Sequence, residues 1–139
     1  MSIHPTRRLV LSCALAGAAS AAMPVVAQTY PAKPVKVIVP YSPGSNPDIA
    51  TRMVMQAMGD RLGQPFVIDT RIGAGGGIGL SAAAKATPDG YTIVTGHVGG
   101  LAINPTLYDK LGYDVAKDFV PITQMYKSPL VMLVADNSP

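Results

Sequence analysis

A run of glycines at residues 73–79, Gly-Ala-Gly-Gly-Gly-Ile-Gly, is the segment of this chain best suited to bind a ligand. It follows a short apolar run at 66–68 and precedes an alanine-rich stretch with helical character. Glycines let backbone N–H groups approach a ligand closely, and the N-terminus of a following helix carries a partial positive charge. The run therefore predicts a site for an anion, either a carboxylate or a phosphate.

The same glycines match the spacing of a dinucleotide-binding fold at residues 77–82, but this match is weak. The next predicted strand ends in Thr95-Gly96-His97, with no acidic residue to hold a ribose hydroxyl. No Gly-Lys-Ser/Thr follows the glycines, which excludes a nucleoside-triphosphate P-loop. We therefore predict that the protein has no cofactor.

Two charged or titratable side chains lie near predicted strand ends. His97 is the only histidine after residue 27, and it has neither a cysteine nor an acidic partner nearby in the sequence, so a place in a pocket wall is favoured over catalysis or metal binding. Asp48 begins a predicted helix, where it could cap that helix or add charge to its first turn. It could also fix the preceding loop or contact a polar group of a ligand. No serine is surrounded by a nucleophile elbow, so the residues predict neither an enzyme nor a metal site.

Residues 1–27 have the order of a secretory signal peptide. Arg7 and Arg8 precede an apolar stretch at 9–23, and Val25 and Ala27 occupy the −3 and −1 positions of a cleavage site. The stretch is rich in small residues and shorter than the ~20 apolar residues of a membrane anchor. Export by the general route and export by the twin-arginine route both remain open. The single cysteine of the chain lies in this leader, so no disulfide is predicted in the exported protein.

Charge gives no sign of a nucleic-acid partner. The formal net charge of +3 includes the two arginines of the leader. The rest of the chain has no basic cluster and the sequence has no tryptophan, which disfavours binding to nucleic acid.

Alternating strands and helices are predicted to position these residues. Strands are predicted at 35–39, 66–68 and 91–95, with a helix from Asp48 to Gly63 and another over about 79–86. The alternation favours an α/β fold with a parallel sheet and helices on its faces. Ligands in such sheets bind beyond the carboxyl ends of the strands. Three loops rich in small and polar residues have that position, namely 40–48, 71–78 and 95–104.

The first helix has an apolar stripe that is predicted to face the core. The stripe contains Ile49, Met53 and Ala57, and core packing is the expected role of Met53, Met55 and Met58.

The last part of the chain departs from the strand–helix alternation. Residues 104–108 are predicted to form a short helix or turn, and 114–119 a connection. Strands are predicted at 120–126 and 130–134, antiparallel or crossing, because Ser128-Pro129 between them suits a turn.

Eight segments in this order resemble the Bug-type periplasmic solute receptors, which are the extracytoplasmic binding proteins of tripartite tricarboxylate transporters. The resemblance extends from Tyr30 to Pro139. The segments are Tyr30-Pro31, Val37-Ile38-Val39-Pro40-Tyr41, Pro43-Gly44, Asp48-Ile49-Ala50-Thr51-Arg52, Arg61-Leu62-Gly63-Gln64-Pro65, Arg71-Ile72-Gly73-Ala74-Gly75-Gly76, Pro88-Asp89-Gly90-Tyr91-Thr92 and Leu101-Ala102-Ile103-Asn104-Pro105.

The resemblance implies a monomeric, two-lobed fold of the type II periplasmic-binding-protein class that closes on a small organic acid without catalysis. It implies a periplasmic location and a partnership with the membrane subunits of a tripartite transporter. Carried onto the matching loops of this chain, it implies these ligand-binding residues: Tyr41, Ser42, Pro43, Gly44, Ser45, Asp48, Gly73, Ala74, Gly75, Gly76, Thr95, His97, Val98 and Gly99.

Two positions depart from the family's pattern. Ser45 stands where the family usually has a second glycine, and residues 97–100 read His-Val-Gly-Gly where the family usually offers serine or threonine. We expect the altered third loop to shift the preference toward a different acid.

The resemblance also implies a chain of two lobes, whereas this sequence suits one small domain. On this basis residues 28–139 are an incomplete first lobe of a two-lobed fold, ending at the crossing into a largely missing second lobe. Two functions are predicted as alternatives, a receptor for a di- or tricarboxylate or a related acid, and a receptor fragment without binding activity of its own.

Overall fold

The computed structural model describes residues 29–129, 131–134 and 136, and a three-stranded parallel sheet lies at the centre of this part of the chain. The strands are β1 (Val35–Val39), β2 (Phe66–Thr70) and β3 (Thr92–Val94), in the spatial order β2-β1-β3. The predicted parallel α/β architecture is confirmed. The predicted signal peptide lies outside the described residues, and within them no helix is both long and apolar enough to cross a membrane.

Strand β1 is covered on both faces. Four of its five residues are buried, and only Lys36 is exposed. Val35 pairs with Phe66 on one side, and Val37 pairs with Ile93 on the other. A buried central strand with parallel neighbours accounts for the continuous β-branched sequence of this segment.

Helix α1 (Asn46–Leu62) connects β1 to β2. Its N-cap is Ser45, and Pro47 lies in its first turn, where a fixed φ suits the helix and no N–H is needed. The predicted start at Asp48 is therefore two residues late. The end is as predicted, since Gly63 adopts a left-handed φ of 69° and donates its N–H to the carbonyl of Gly59.

The buried face of α1 differs from the predicted apolar stripe. Asp48, Thr51 and Met55 are buried, whereas Ile49 is half exposed and Met53 is 70% exposed. The prediction of a core role for Met53 is wrong, because the buried hydrogen bonds of Asp48 and Thr51 fix the rotation of the helix. Met55 and Met58 do pack in the core with the β1 valines.

Helix α2 (Gly77–Ala84) connects β2 to β3 and begins directly after a 3₁₀ turn at Ala74–Gly76. It packs close to the end of β1. A Cβ atom at Gly79 would lie 2.6 Å from Cβ of Pro40 and 2.9 Å from the carbonyl oxygen of Arg71. Glycine at this position is therefore needed for the close approach of the helix to the sheet.

The later segments are more helical than predicted. A π-helical turn (Gly99–Ile103) lies in the predicted loop at 95–104 and leads into α3 (Asn104–Leu107), which confirms the short helix or turn predicted at 104–108. The predicted connection at 114–119 contains a short helix, α4 (Val115–Asp118). Asp114 caps this helix by accepting hydrogen bonds from the N–H groups of Ala116 and Lys117.

The predicted strands at 120–126 and 130–134 are not formed in the described residues of those ranges. A strand needs a neighbour to satisfy its backbone groups, and these residues pair with no strand among the described ones. Their side chains are largely exposed, with Val120 at 88% and Met132 at 89%. The prediction of these two strands is wrong because it rested on β-branched and apolar composition alone.

Candidate ligand-binding site

The three predicted loops meet at the carboxyl ends of the strands, around the side chain of Tyr41. A Cβ atom at Gly76 would lie 3.4 Å from Cε1 of Tyr41, and one at Gly100 would lie 3.7 Å from its hydroxyl oxygen. The rings of Tyr41 and His97 contact edge to face, with centroids 5.4 Å apart. One aromatic side chain of the first loop thus contacts both of the other loops, as expected for a site at this edge of a parallel sheet.

The predicted site residues fall into three sets by their exposure to solvent. Tyr41, Ser45 and Gly99 are intermediate. The buried ones are Asp48, Gly76 and Thr95. The exposed ones are Ser42, Pro43, Gly44, Gly73, Ala74, Gly75, His97 and Val98. In this conformation only the exposed and intermediate residues can reach a ligand directly, and the buried ones can act only by holding the loops.

The glycine-rich loop has an unusual backbone. The φ angles of Gly73, Gly75 and Gly76 are 126°, 59° and 90°, and Ala74 shares the left-handed region with a φ of 48°. That conformation costs a residue with a Cβ about 1 kcal/mol or more. The side-chain amide of Asn104 donates to the carbonyl of Gly75 at 3.2 Å and so helps to hold the loop.

The N-terminus of α2 follows this loop without a side-chain cap. The first N–H groups of a helix lack acceptors within the helix, and they carry the positive end of its dipole. A carboxylate bound at the glycine-rich loop would therefore meet a favourable field.

Asp48 holds the first loop from behind. Its carboxylate is 2% exposed and accepts the N–H of Gly44 at 2.9 Å. Nε of Arg52 donates to both carboxylate oxygens at 3.0 Å. The hydrogen bond from Arg52 and then that from Gly44 lower the pKa of Asp48, against the opposing effect of burial. Of the roles predicted for Asp48, first-turn charge and loop fixing are seen, whereas the N-cap position belongs to Ser45.

Two hydroxyl groups of the first loop are buried without a hydrogen-bond partner among the described residues, Tyr41 Oη and Ser45 Oγ. Burial, with smaller effects from Tyr126 and Tyr113, raises the pKa of Tyr41 to about 12. The Tyr41 hydroxyl therefore keeps its proton at neutral pH. Buried hydroxyls without a hydrogen-bond partner are uncommon in folded proteins. Two polar groups of the first loop therefore have no hydrogen-bond partner among the described residues.

His97 is held by its own loop. Its Nδ1 accepts the N–H of Gly99 at 3.2 Å, which places the proton of the neutral ring on Nε2. The exposed His97 can therefore offer an N–H donor at the surface of the site. No set of three His, Cys, Asp or Glu side chains within residues 29–129, 131–134 and 136 is placed to hold a metal ion.

Three residues that support the loops escaped the prediction from sequence. Tyr113 donates its hydroxyl to the carbonyl of Gly100 at 2.6 Å, and Asn104 holds the glycine-rich loop. Thr51 is fully buried beside Thr95, with their hydroxyl oxygens 3.0 Å apart. The Asn-Pro pair at 104 could have drawn attention to Asn104, but nothing in the sequence distinguishes Thr51 from an ordinary helix residue.

A cavity of about 570 Å³ lies elsewhere, between α1 and β2. Its lining includes Arg52, Gln56 and Phe66. It shares none of the predicted site residues, so we do not assign the ligand to it.

The chain is similar in sequence and in structure to known proteins. The sequence model of the tripartite tricarboxylate transporter family receptors matches residues 50–139. BugT of Bordetella pertussis is 40% identical over 132 residues. The solved structure of the periplasmic binding protein BugD is 39% identical with a TM-score of 0.63 and is matched over 67% of this chain. MatC from Rhodopseudomonas palustris, solved with bound malate, is 38% identical with a TM-score of 0.63 and is matched over 66% of this chain.

This chain is shorter than the proteins it matches. The match with BugT covers 94% of this chain and 40% of BugT. The matches with BugD and MatC each cover 31% of the solved chain.

Proposed function

Because the chain belongs to the tripartite tricarboxylate transporter family of receptors, we propose that it captures a small organic carboxylate for a membrane transporter. The acid is a di- or tricarboxylate or a related compound, and it is bound and released without chemical change. The observation that carries the proposal is the meeting of three glycine-rich or polar loops around Tyr41 at the carboxyl ends of the sheet.

The loops offer the groups that a carboxylate needs. The exposed backbone of residues 73–75 would supply donors close to the positive end of α2, and His97 would supply a side-chain donor at Nε2. Ser42, Ser45 and Val98 lie on the neighbouring loops, where they would line the part of the site that surrounds the rest of the acid. Asp48 and Thr95 belong to the site as supports, since both are buried behind the loops. The malate bound to MatC makes a dicarboxylate a reasonable first ligand to test.

The place of action is the periplasm, and the partners are the membrane subunits of a tripartite transporter. Support comes from the order of charged, apolar and small residues at 1–27 and from the description of BugD as a periplasmic binding protein. In this proposal the receptor acts as a monomer, and residues 28–139 are an incomplete first lobe of a two-lobed fold.

Isothermal titration calorimetry of the purified chain with malate, citrate, benzoate and inorganic phosphate tests this proposal. We expect one of the carboxylates to bind and phosphate not to bind. The His97→Ser variant is expected to change the order of affinities among the acids, because it removes the Nε2 donor. Leu107→Ser on α3 is the control, since Leu107 is exposed and is not among the proposed ligand-binding residues. Binding of phosphate alone would contradict the proposed ligand class. An unchanged order of affinities in His97→Ser would contradict the role proposed for His97.

The second candidate is a truncated receptor fragment without binding activity of its own. The short coverage of BugT favours it, because a site that buries ~70–90% of a small ligand needs walls on all sides. No heat of binding for any of the acids would select this candidate over the first, whereas cooperative thermal unfolding of residues 28–139 would argue against it.

A further inference from the structure

We propose that Thr51 is a positioning residue that couples the first and third ligand loops through a buried pair of hydroxyls. The inference rests on the proposed function for its effect on ligand affinity, but the coupling itself can be measured without a ligand. Thr51 lies in the second turn of α1 and has no exposed surface, so it cannot contact a ligand itself.

The direction of each hydrogen bond follows from the number of protons available. The Thr51 hydroxyl lies 2.6 Å from the carbonyl oxygen of Pro47, which can only accept. Thr51 therefore donates its single hydroxyl proton to Pro47. The contact of 3.0 Å with Thr95 must then run the other way, with Thr95 donating to the oxygen of Thr51.

This pair joins two loops that lie far apart in the sequence. Pro47 lies in the first turn of α1, directly before Asp48, whose carboxylate holds the N–H of Gly44 in the first loop. Thr95 directly follows β3 and begins the third loop, and its own N–H is bonded to the carbonyl of Ile38 in β1. The hydroxyl pair is thus a direct polar link between the first turn of α1 and the end of β3.

Packing or helix stability alone does not explain threonine at this position. A hydroxyl that bonds back to the carbonyl four residues earlier does not favour a helix and tends to bend it. Valine has nearly the same shape and would avoid burying the hydroxyl of residue 51. The hydroxyl of Thr51 stabilises the fold by accepting a hydrogen bond from the Thr95 hydroxyl, which would otherwise be buried without an acceptor.

Amide hydrogen exchange, followed by NMR on the full chain, tests the coupling. The variants are Thr95→Val, Thr51→Val, Thr51→Ser and the double variant Thr51→Val/Thr95→Val. We expect Thr95→Val, a change in the third loop, to speed exchange at Gly44 and Ile49 by roughly tenfold, the factor that the loss of one buried hydrogen bond supports. The amide of Val35, bonded to the carbonyl of Pro65 at the other end of the sheet, should keep its rate.

The other variants separate coupling from simple destabilisation. Thr51→Ser keeps the hydroxyl and should restore the slow exchange at Gly44, and the double variant should resemble each single one because the two residues act as a unit. Thr92→Val, in the strand that precedes Thr95, is the matched control and should leave the exchange rate of Gly44 unchanged. Unchanged exchange at Gly44 in Thr95→Val would overturn the proposal, and Thr95→Val decides the matter even if Thr51→Val does not fold.

Calorimetry with malate forms the second arm of the experiment. A malate affinity that falls in Thr51→Val and returns in Thr51→Ser would extend the coupling to ligand binding. If the unmodified chain binds none of the acids, the proposed function fails while the exchange measurement still decides the coupling. Faster exchange at Gly44 with an unchanged malate affinity would overturn the role of Thr51 in ligand binding.

Discussion

Buried polar side chains, rather than the exposed ones, set the shape of the candidate site at the scale of single residues. Asp48 grips Gly44 in the first loop, Thr51 meets Thr95, and Asn104 holds Gly75 in the glycine-rich loop. Each of these groups lies at or behind a strand end, and each forms a hydrogen bond with a residue of a site loop. Substitution of these residues should therefore act on the loops as well as on stability.

Acid should weaken the fold through Asp48. Its pKa lies below the ordinary value of 3.8, so its ionised form stabilises the folded protein above that pH, and this contribution is lost as the pH falls through the lower folded value. We expect the free energy of unfolding in urea to fall below about pH 4 more steeply in the unmodified chain than in Asp48→Asn.

Asp60→Asn is the matched control for this experiment. Asp60 is exposed on the same helix and bonds only to Gln56 among the described residues. Its replacement should leave the acid dependence unchanged. An equally steep loss of stability in Asp48→Asn would show that the acid sensitivity arises elsewhere.

Close packing between α2 and the end of β1 is the tightest feature at the scale of elements. We expect Gly79→Ala to lower the free energy of unfolding by about 1–3 kcal/mol, because the new methyl group would collide with Pro40 and with the backbone at Arg71.

Gly77→Ala, two residues away in the same helix, provides the comparison. Gly77 has an ordinary helical φ of −60°. A Cβ atom added there would lie 3.6 Å from Cβ of Ala74, which is a normal contact distance. This variant should be neutral or more stable, since alanine favours a helix over glycine by up to about 1 kcal/mol. Equal effects of the two substitutions in urea titrations would contradict the predicted contact at Pro40.

The elements that carry their own local signal could be predicted from the sequence. Residue type alone predicts the conformation of three segments: the β-branched run of β1, the helix end at Gly63 and the glycine-rich loop. Long-range contacts could not be predicted in this way. The rotation of α1 depends on Thr95, far along the chain, and the apolar residues 120–126 lack a strand to pair with among the described residues. The site loops were located because parallel strands end at one edge, while their supports Thr51 and Tyr113 depend on tertiary contacts.

The distribution of apolar surface is uneven at the scale of the whole described chain. Val131, Met132, Leu133 and Val134 are all at least 70% exposed, next to each other in the sequence. Adjacent exposed apolar side chains form a patch to which other apolar molecules bind.

A hydrophobic dye should report this patch. We expect anilinonaphthalene sulfonate to fluoresce with the unmodified chain and to lose most of that signal with the double variant Met132→Ser/Leu133→Ser. Leu107→Ser removes a comparably exposed leucine from α3 and should leave the signal unchanged. If the double variant keeps the full fluorescence, the dye binds elsewhere and the patch is covered in solution.

The parallel pairing of β1 with both of its neighbours has a consequence for the time at which the sheet forms. Val35 meets Phe66 about thirty residues away, and Lys36 meets Thr92 more than fifty residues away, so no strand pair can close as a hairpin. Contacts between distant residues slow folding, and the central strand must wait for the synthesis of both partners. Until Val94 has been synthesised the sheet is incomplete, so the valines that it buries in β1 stay in contact with water during that time.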